Sequence, residues 1–119
     1  MINIKQFAEI EIKVGLVTEA MEVPQSKKLI RLAVNVGEEF DRTIFTGVKA
    51  FGYTPEDFKN KKFLFVTNLE PKKMPSFAPD GASKGKDEES QGMVLAVGPD
   101  GEKPVFVEVP DLPVGSKIR

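Results

Sequence analysis

The sequence has no cysteine, no histidine and no tryptophan, and no hydrophobic run longer than five residues. Without cysteine there is no disulfide framework and no thiolate to act as nucleophile or metal ligand. Without histidine the common zinc sites are closed, and so are the Ser-His and Cys-His nucleophile pairs. The acidic triplet Asp87-Glu88-Glu89 sets consecutive carboxylates on one loop and lacks the spacing of a calcium-binding loop. The sequence therefore predicts a chain that takes no metal or cofactor and is not an enzyme. Runs as short as Phe63–Val66 and Met93–Val97 cannot cross a bilayer, which takes about 20 apolar residues in a helix. The start, Met1-Ile2-Asn3-Ile4-Lys5, has no apolar stretch of a secretory signal, so a cytoplasmic location with no membrane partner is expected.

What is present is an ordinary globular composition over 119 residues, 40% apolar and 29% charged, enough for one domain at 1–119. The net charge of −1 hides a segregation along the chain. Residues 1–58 carry seven basic and nine acidic side chains. Residues 59–86 carry seven lysines, Lys72, Lys73, Lys84 and Lys86 among them, against Glu70 and Asp80, for a net +5. Residues 87–119 return to −4. A basic zone inside an acidic chain reads either as solvated lysine on turns or as a phosphate-attracting patch. In the second case the acidic remainder limits non-specific binding to DNA.

Period-two alternation broken by turn residues dominates the pattern, as in an all-β protein. Ile10, Ile12 and Val14 alternate with polar residues up to Gly15, where a bulge or bend is expected, and Leu16-Val17 continue. Ile30, Leu32, Val34 and Val36 form the cleanest strand, followed by a run from Arg42 to Thr46. Lys62 to Thr67 is apolar on both faces, which suits a strand covered on both sides. Gly92 to Gly98 is a fifth run, and Pro99-Asp100-Gly101 turns into Pro104 to Val109. Asn3 is placed to cap a short helix carrying Ile4, Phe7 and Ala8. Thr54-Pro55-Glu56-Asp57 reads as a helix start between the third and fourth strands. Five strands with one helical connection at that place follow the plan of an OB-fold, a five-stranded Greek-key barrel. Met74 to Ser90 has no periodicity and reads as a long irregular loop.

Three stretches together resemble the tRNA-binding domain family, which includes the C-terminal appendage of methionyl-tRNA synthetases, stand-alone structure-specific tRNA-binding proteins and endothelial-monocyte-activating polypeptide. The first is Ile12-Lys13-Val14-Gly15 with Val23-Pro24-Gln25-Ser26-Lys27-Lys28-Leu29. The second runs from Arg42-Thr43-Ile44-Phe45-Thr46-Gly47-Val48 to Tyr53–Phe58. The third pairs Asn68-Leu69-Glu70-Pro71-Lys72-Lys73-Met74 with Ser90-Gln91-Gly92-Met93 and is the specific part. The chain departs from the family at Val23-Pro24-Gln25-Ser26, where His-Pro and Ala-Asp are usual, and by roughly ten extra residues before Ser90.

The resemblance implies an OB-fold that grips the outer corner of tRNA, reading shape more than sequence, as a homodimer. It leaves open whether such a chain assists an aminoacyl-tRNA synthetase in trans, acts alone or is a piece of a longer protein. It points to seven candidate contacts: Lys28, Arg42, Asn68, Lys72, Lys73, Ser90 and Met93. Lys72 and Lys73, after Pro71, would meet phosphates as point charges, and Ser90 would donate to phosphate. Asn68 would read a base edge or a 2′-hydroxyl, Met93 would touch an exposed base, and Arg42 and Lys28 would widen the basic face. Each has a bland counterpart. Met93 opens an apolar run and fits the barrel core; Asn68 fits a turn closure; Arg42 can pair with Glu38 or Glu39. A competing function is an export-related chaperone of the same fold that binds unfolded peptide. The dimer surfaces expected are the segment with Leu112, Pro113, Val114 and Ile118, and the N-terminal Ile4 and Phe7. The alternative is that these residues cap the barrel's own open end.

Overall fold

A computed structural model describes residues 1–74 and 88–119. Asp80, Lys84, Lys86 and Asp87, four of the charged residues singled out above, lie outside the described residues. Helix α1 (Ile4–Ala8) opens with a reciprocal cap: Gln6 N donates to Asn3 Oδ1 at 2.9 Å, and Asn3 N donates to Gln6 Oε1 at 2.9 Å. No side chain of α1 is buried. The strands described are β1 (Ile12–Glu22), β2 (Ile30–Asn35), β3 (Arg42–Thr46), β4 (Lys62–Val66), β5 (Lys72–Met74), β6 (Glu88–Ser90), β7 (Met93–Val94), β8 (Ala96–Val97) and β9 (Val105–Phe106).

Five of them form an antiparallel sheet in the order β3-β2-β1-β4-β7, which curls into a nearly closed OB-like barrel. The alternation read from β2 is realised: Ile30, Leu32, Val34 and Val36 are buried in the core, and Arg31, Ala33 and Asn35 take the other face. Gly15 is needed for a close approach. A Cβ there would lie 2.7 Å from both Phe65 Cδ2 and Val34 Cγ1. The bulge expected at Gly15 sits instead at Thr18, where the β1–β2 register slips between Val17 and Glu19. There the Thr18 hydroxyl donates to Asp41 Oδ2 at 2.6 Å.

The connection between β3 and β4 is helical, as two 3-10 turns, Lys49–Phe51 and Pro55–Asp57. Thr54 N donates to Asp57 Oδ2 at 2.7 Å, so the expected cap is made from the carboxylate side. The turn delivers Phe58 into the barrel, where it is fully buried. Phe58 and Tyr53 each stand edge-on to Phe106, with ring centroids 5.0 Å apart in both pairs.

Two parts of the expected plan are corrected. The run from Gly92 to Gly98 is two strands: β7 pairs with β4, Leu95 N makes a last bond to Leu64 O at 3.0 Å, and β8 then pairs with β9. The stretch from Met74 to Ser90 is not loop from end to end: Lys72, Lys73 and Met74 pair in register with Ser90, Glu89 and Glu88 in a β5–β6 ribbon. The C-terminal segment also belongs to the barrel. Val14 N donates to Ser116 O at 2.8 Å, Gly115 N to Val14 O at 2.9 Å and Ile118 N to Ile12 O at 2.9 Å. These bonds occupy the stretch of β1 that β2 leaves unpaired. Residues 115–118 therefore act as an edge strand, the backbone form of the capping alternative.

Candidate nucleic-acid interface

β3 is the open edge of the five-stranded sheet, and the Ser90-Gln91-Gly92 segment closes the barrel against it. Gln91 N donates to Thr43 O at 2.8 Å. The β3 amides find side-chain acceptors in return: Thr43 N donates to Gln91 Oε1 at 2.8 Å and Phe45 N to Ser90 Oγ at 3.1 Å. Ser90 is accordingly buried, at 8% exposure. Gly92 allows the approach, since a Cβ there would sit 2.8 Å from Val66 O. The next residue, Met93, is then turned outward and is 47% exposed, which places it off the core.

This closure shapes a groove of about 730 Å³ lined by Leu29, Phe45, Met74, Met93, Lys72 and Ser90, with Gly47, Leu69, Glu70 and Gly92. Phe45 is an aromatic wall that residue-type matching passed over. The signal was present: in Arg42–Thr46 the inward residues are Ile44 and Thr46, so Phe45 takes the outer face. Lys72 and Lys73 are exposed on β5. Lys28 is exposed and immediately precedes Leu29 on the groove wall. Its loop is ordered by Ser26, whose hydroxyl accepts from Leu29 N at 3.0 Å, while Lys49 N donates to Lys28 O at 3.0 Å. Gln25 adopts φ 66°, a left-handed turn conformation, within this loop.

The three remaining candidates spend their polar atoms inside the chain. Arg42 forms a fork on Glu38, at 2.8 and 2.7 Å, and donates to Gln91 O at 3.1 Å and to Thr67 O. That fork holds the Glu38 carboxyl below its ordinary pKa and raises the Arg42 guanidinium. Asn68 accepts from Glu11 N at 2.7 Å and donates to Glu9 O, tying the end of β4 to the exit of α1. Ser90 donates to Gly92 O at 3.4 Å besides accepting from Phe45. Beyond Leu69 a second cleft of about 610 Å³ is lined by Glu38, Glu39, Phe40, Asp41 and Arg42, with Thr67, Pro71 and Gln91. Its carboxylates lie on the far side of Leu69, which lines both clefts. Among the described residues no cluster of three or more acidic groups is placed to hold a metal. No helix described is long and apolar enough to cross a membrane.

A barrel closed in this way, with exposed lysines beside an outward Met and Phe, has the arrangement of a nucleic-acid-binding OB module. The chain belongs to the tRNA-binding domain family, whose model, described as "Putative tRNA binding domain", matches residues 12–117. The methionine–tRNA ligase of Methanococcus aeolicus is 45% identical over 118 residues, covering 99% of this chain and 16% of the ligase. The chain thus spans a small part of the length of the curated relatives it matches. Over its whole length it is similar to a MetRS-related protein from Pyrococcus horikoshii, with TM-score 0.84, 36% identity and 98% of that chain covered. The chaperone CsaA of Bacillus anthracis is similar at TM-score 0.77 and 28% identity, with 100% of this chain and 99% of that chain covered.

Proposed function

We propose that the chain binds tRNA in the groove between β3, the β5–β6 ribbon and Met93, as a non-catalytic module working in the cytoplasm. The observation that carries this reading is the composition of the groove: an apolar floor of Phe45, Leu29, Met74 and Met93, with Lys72 and Glu70 on its wall, Lys28 next to Leu29 in the chain and Lys73 on the other face of β5. Unstacked bases rest on Phe45 and Met93, since every base has a face that stacks or packs. Lys28, Lys72 and Lys73 neutralise phosphates as point charges. Arg42 and Ser90 hold the walls in place. Asn68 keeps one amide hydrogen beyond its bond to Glu9 and offers it to a 2′-hydroxyl. The kinship with methionine–tRNA ligases supports a methionyl-tRNA synthetase as the enzyme assisted, and two copies of the chain form the working unit.

Filter binding of tRNA, duplex DNA and an unfolded peptide, each over a range of salt, tests this. Three to five phosphate contacts give a log–log salt slope of about −2 to −4 for tRNA. Equal affinity for duplex DNA, or a slope near zero, overturns it. A second reading has one observation in its favour: the groove floor is apolar and the chaperone CsaA shares the fold. Retention of the peptide without retention of tRNA selects that reading.

A further inference from the structure

Arg31 is absent from the seven candidates, yet it stands beside the groove. It projects from the outer face of β2, directly opposite Phe45 of β3 in the register, so the guanidinium and the aromatic wall are cross-strand neighbours. Its fork is occupied by a single carboxylate. Arg31 Nε donates to Glu88 Oε1 at 3.2 Å and to Oε2 at 2.9 Å, Nη2 donates to Oε2 at 2.8 Å, and Nη2 reaches Thr43 Oγ1 at 3.4 Å. Glu88 comes from β6, the strand paired with the one that carries Lys72 and Lys73. One ribbon therefore sets Lys72 on the groove wall and, on the same face, a carboxylate that ties up a second cation, while Lys73 and Glu89 stand opposite each other on its other face. The pair is not deeply buried: the side chains are 27% and 49% exposed. An exposed ion pair of this kind contributes little to stability and exchanges partners readily. A phosphate offers the guanidinium the same two-oxygen geometry that Glu88 offers.

We infer that Arg31 is a phosphate-binding residue of this groove, and that Glu88 occupies its fork as an internal stand-in for phosphate until RNA displaces it. The inference rests on the groove being the tRNA site. Displacement costs affinity, because the carboxylate must be expelled. It sharpens selectivity, because a ligand with a phosphate poised beside Phe45 gains the fork and other ligands do not.

The test is a four-member set: the unaltered chain, Arg31→Gln, Glu88→Gln and the double variant, each measured for tRNA binding across salt and for melting temperature. Glu88→Gln is expected to tighten binding about two- to five-fold, the worth of one exposed pair. Arg31→Gln is expected to weaken it and to flatten the log–log slope by roughly one. In the Arg31→Gln background the gain from Glu88→Gln disappears. A purely structural latch would lower melting and affinity in Arg31→Gln and leave the salt slope unchanged, and that result overturns the assignment. So does a Glu88→Gln gain that survives without Arg31, which marks general removal of negative charge. If the unaltered chain binds tRNA and Arg31→Gln binds equally well, the Arg31 assignment alone fails. If none of the four chains binds tRNA, the tRNA reading of the groove fails with it.

Discussion

Single side chains divide here into those that build the groove and those that face into it, and the two kinds fail differently. Lys72 and Lys73 are exposed on β5, so replacing both with Ala leaves the barrel intact. Binding to all tRNAs should weaken alike, by about 1–3 kcal/mol, with a flatter salt slope. Unchanged binding by a folded double variant would move the site elsewhere. Ser90 and Met93 make the contrast sharper. Ser90→Ala leaves the Phe45 amide without its acceptor and should cost about 1–3 kcal/mol of stability. Met93→Ala should cost affinity with stability nearly unchanged, because the side chain is 47% exposed. Denaturation midpoints measured beside binding constants separate the two, and a large loss of stability in Met93→Ala would return that residue to the core. The family resemblance pointed at Ser90, Arg42 and Asn68 as well as at Lys72, though less securely at Ser90, which follows the inserted stretch. What it could not disclose is which polar atoms the fold itself consumes. That depends on the β3 edge lying against Gln91, a pairing 48 residues distant in the chain.

At the level of elements, β2 and β3 were legible because one face of each is buried and period two then fixes which residues point in. The β5–β6 ribbon was not, since Lys72–Met74 and Glu88–Ser90 have no apolar alternation and are joined through backbone pairing alone. The strand-like C-terminal segment escaped for the same reason: its pairing answers to the unpaired stretch of β1, and its own composition carries no strand signal. That junction brings Glu11 under Thr67, Lys13 and Lys117. Thr67 Oγ1 donates to Glu11 Oε1 at 2.6 Å, and Lys13 Nζ and Lys117 Nζ stand 3.2 and 3.9 Å from the carboxylate. The hydroxyl first, and then Lys13, hold the Glu11 carboxyl below its ordinary pKa. A carboxyl more acidic in the folded state contributes stability above its unfolded pKa and loses it as pH falls through the folded one. The group is partly exposed, so the effect is modest. Melting temperature should drop on acidification through and below the ordinary carboxylate range. Glu11→Gln should melt lower at neutral pH and converge on the unaltered chain in acid. Parallel curves for the two proteins would assign the acid sensitivity to other pairs, such as Glu38 with Arg42.

For the whole molecule, the unburied helix is the feature that a single barrel does not explain. Ile4 is 78% exposed, Phe7 39%, Ile10 44% and Ile118 45%. Asn68 fixes the exit of α1, and the bond from Ile118 N to Ile12 O sets the C-terminal residues beside the strand that α1 leads into. Held apolar groups of this kind lower the free energy of pairing two copies, because little conformational entropy remains to be lost on association. A two-fold pair also presents two such grooves to one tRNA, so a face with a few lysines gains avidity without new contacts. Sedimentation at micromolar concentration should therefore give a species of twice 13.1 kDa. Replacing Ile4 and Phe7 with Glu should yield monomers whose far-ultraviolet circular dichroism is unchanged, since neither side chain is buried in the barrel. Those monomers should bind tRNA more weakly than the unaltered chain. Removing the C-terminal ten residues is not an equivalent test, because residues 115–118 hydrogen-bond to β1 and their loss strips the barrel of an edge. An unaltered chain that sediments only as a monomer would leave α1 without a partner and end the dimer proposal. Monomers of the Ile4 and Phe7 variant that bind tRNA at full strength would separate dimerisation from binding.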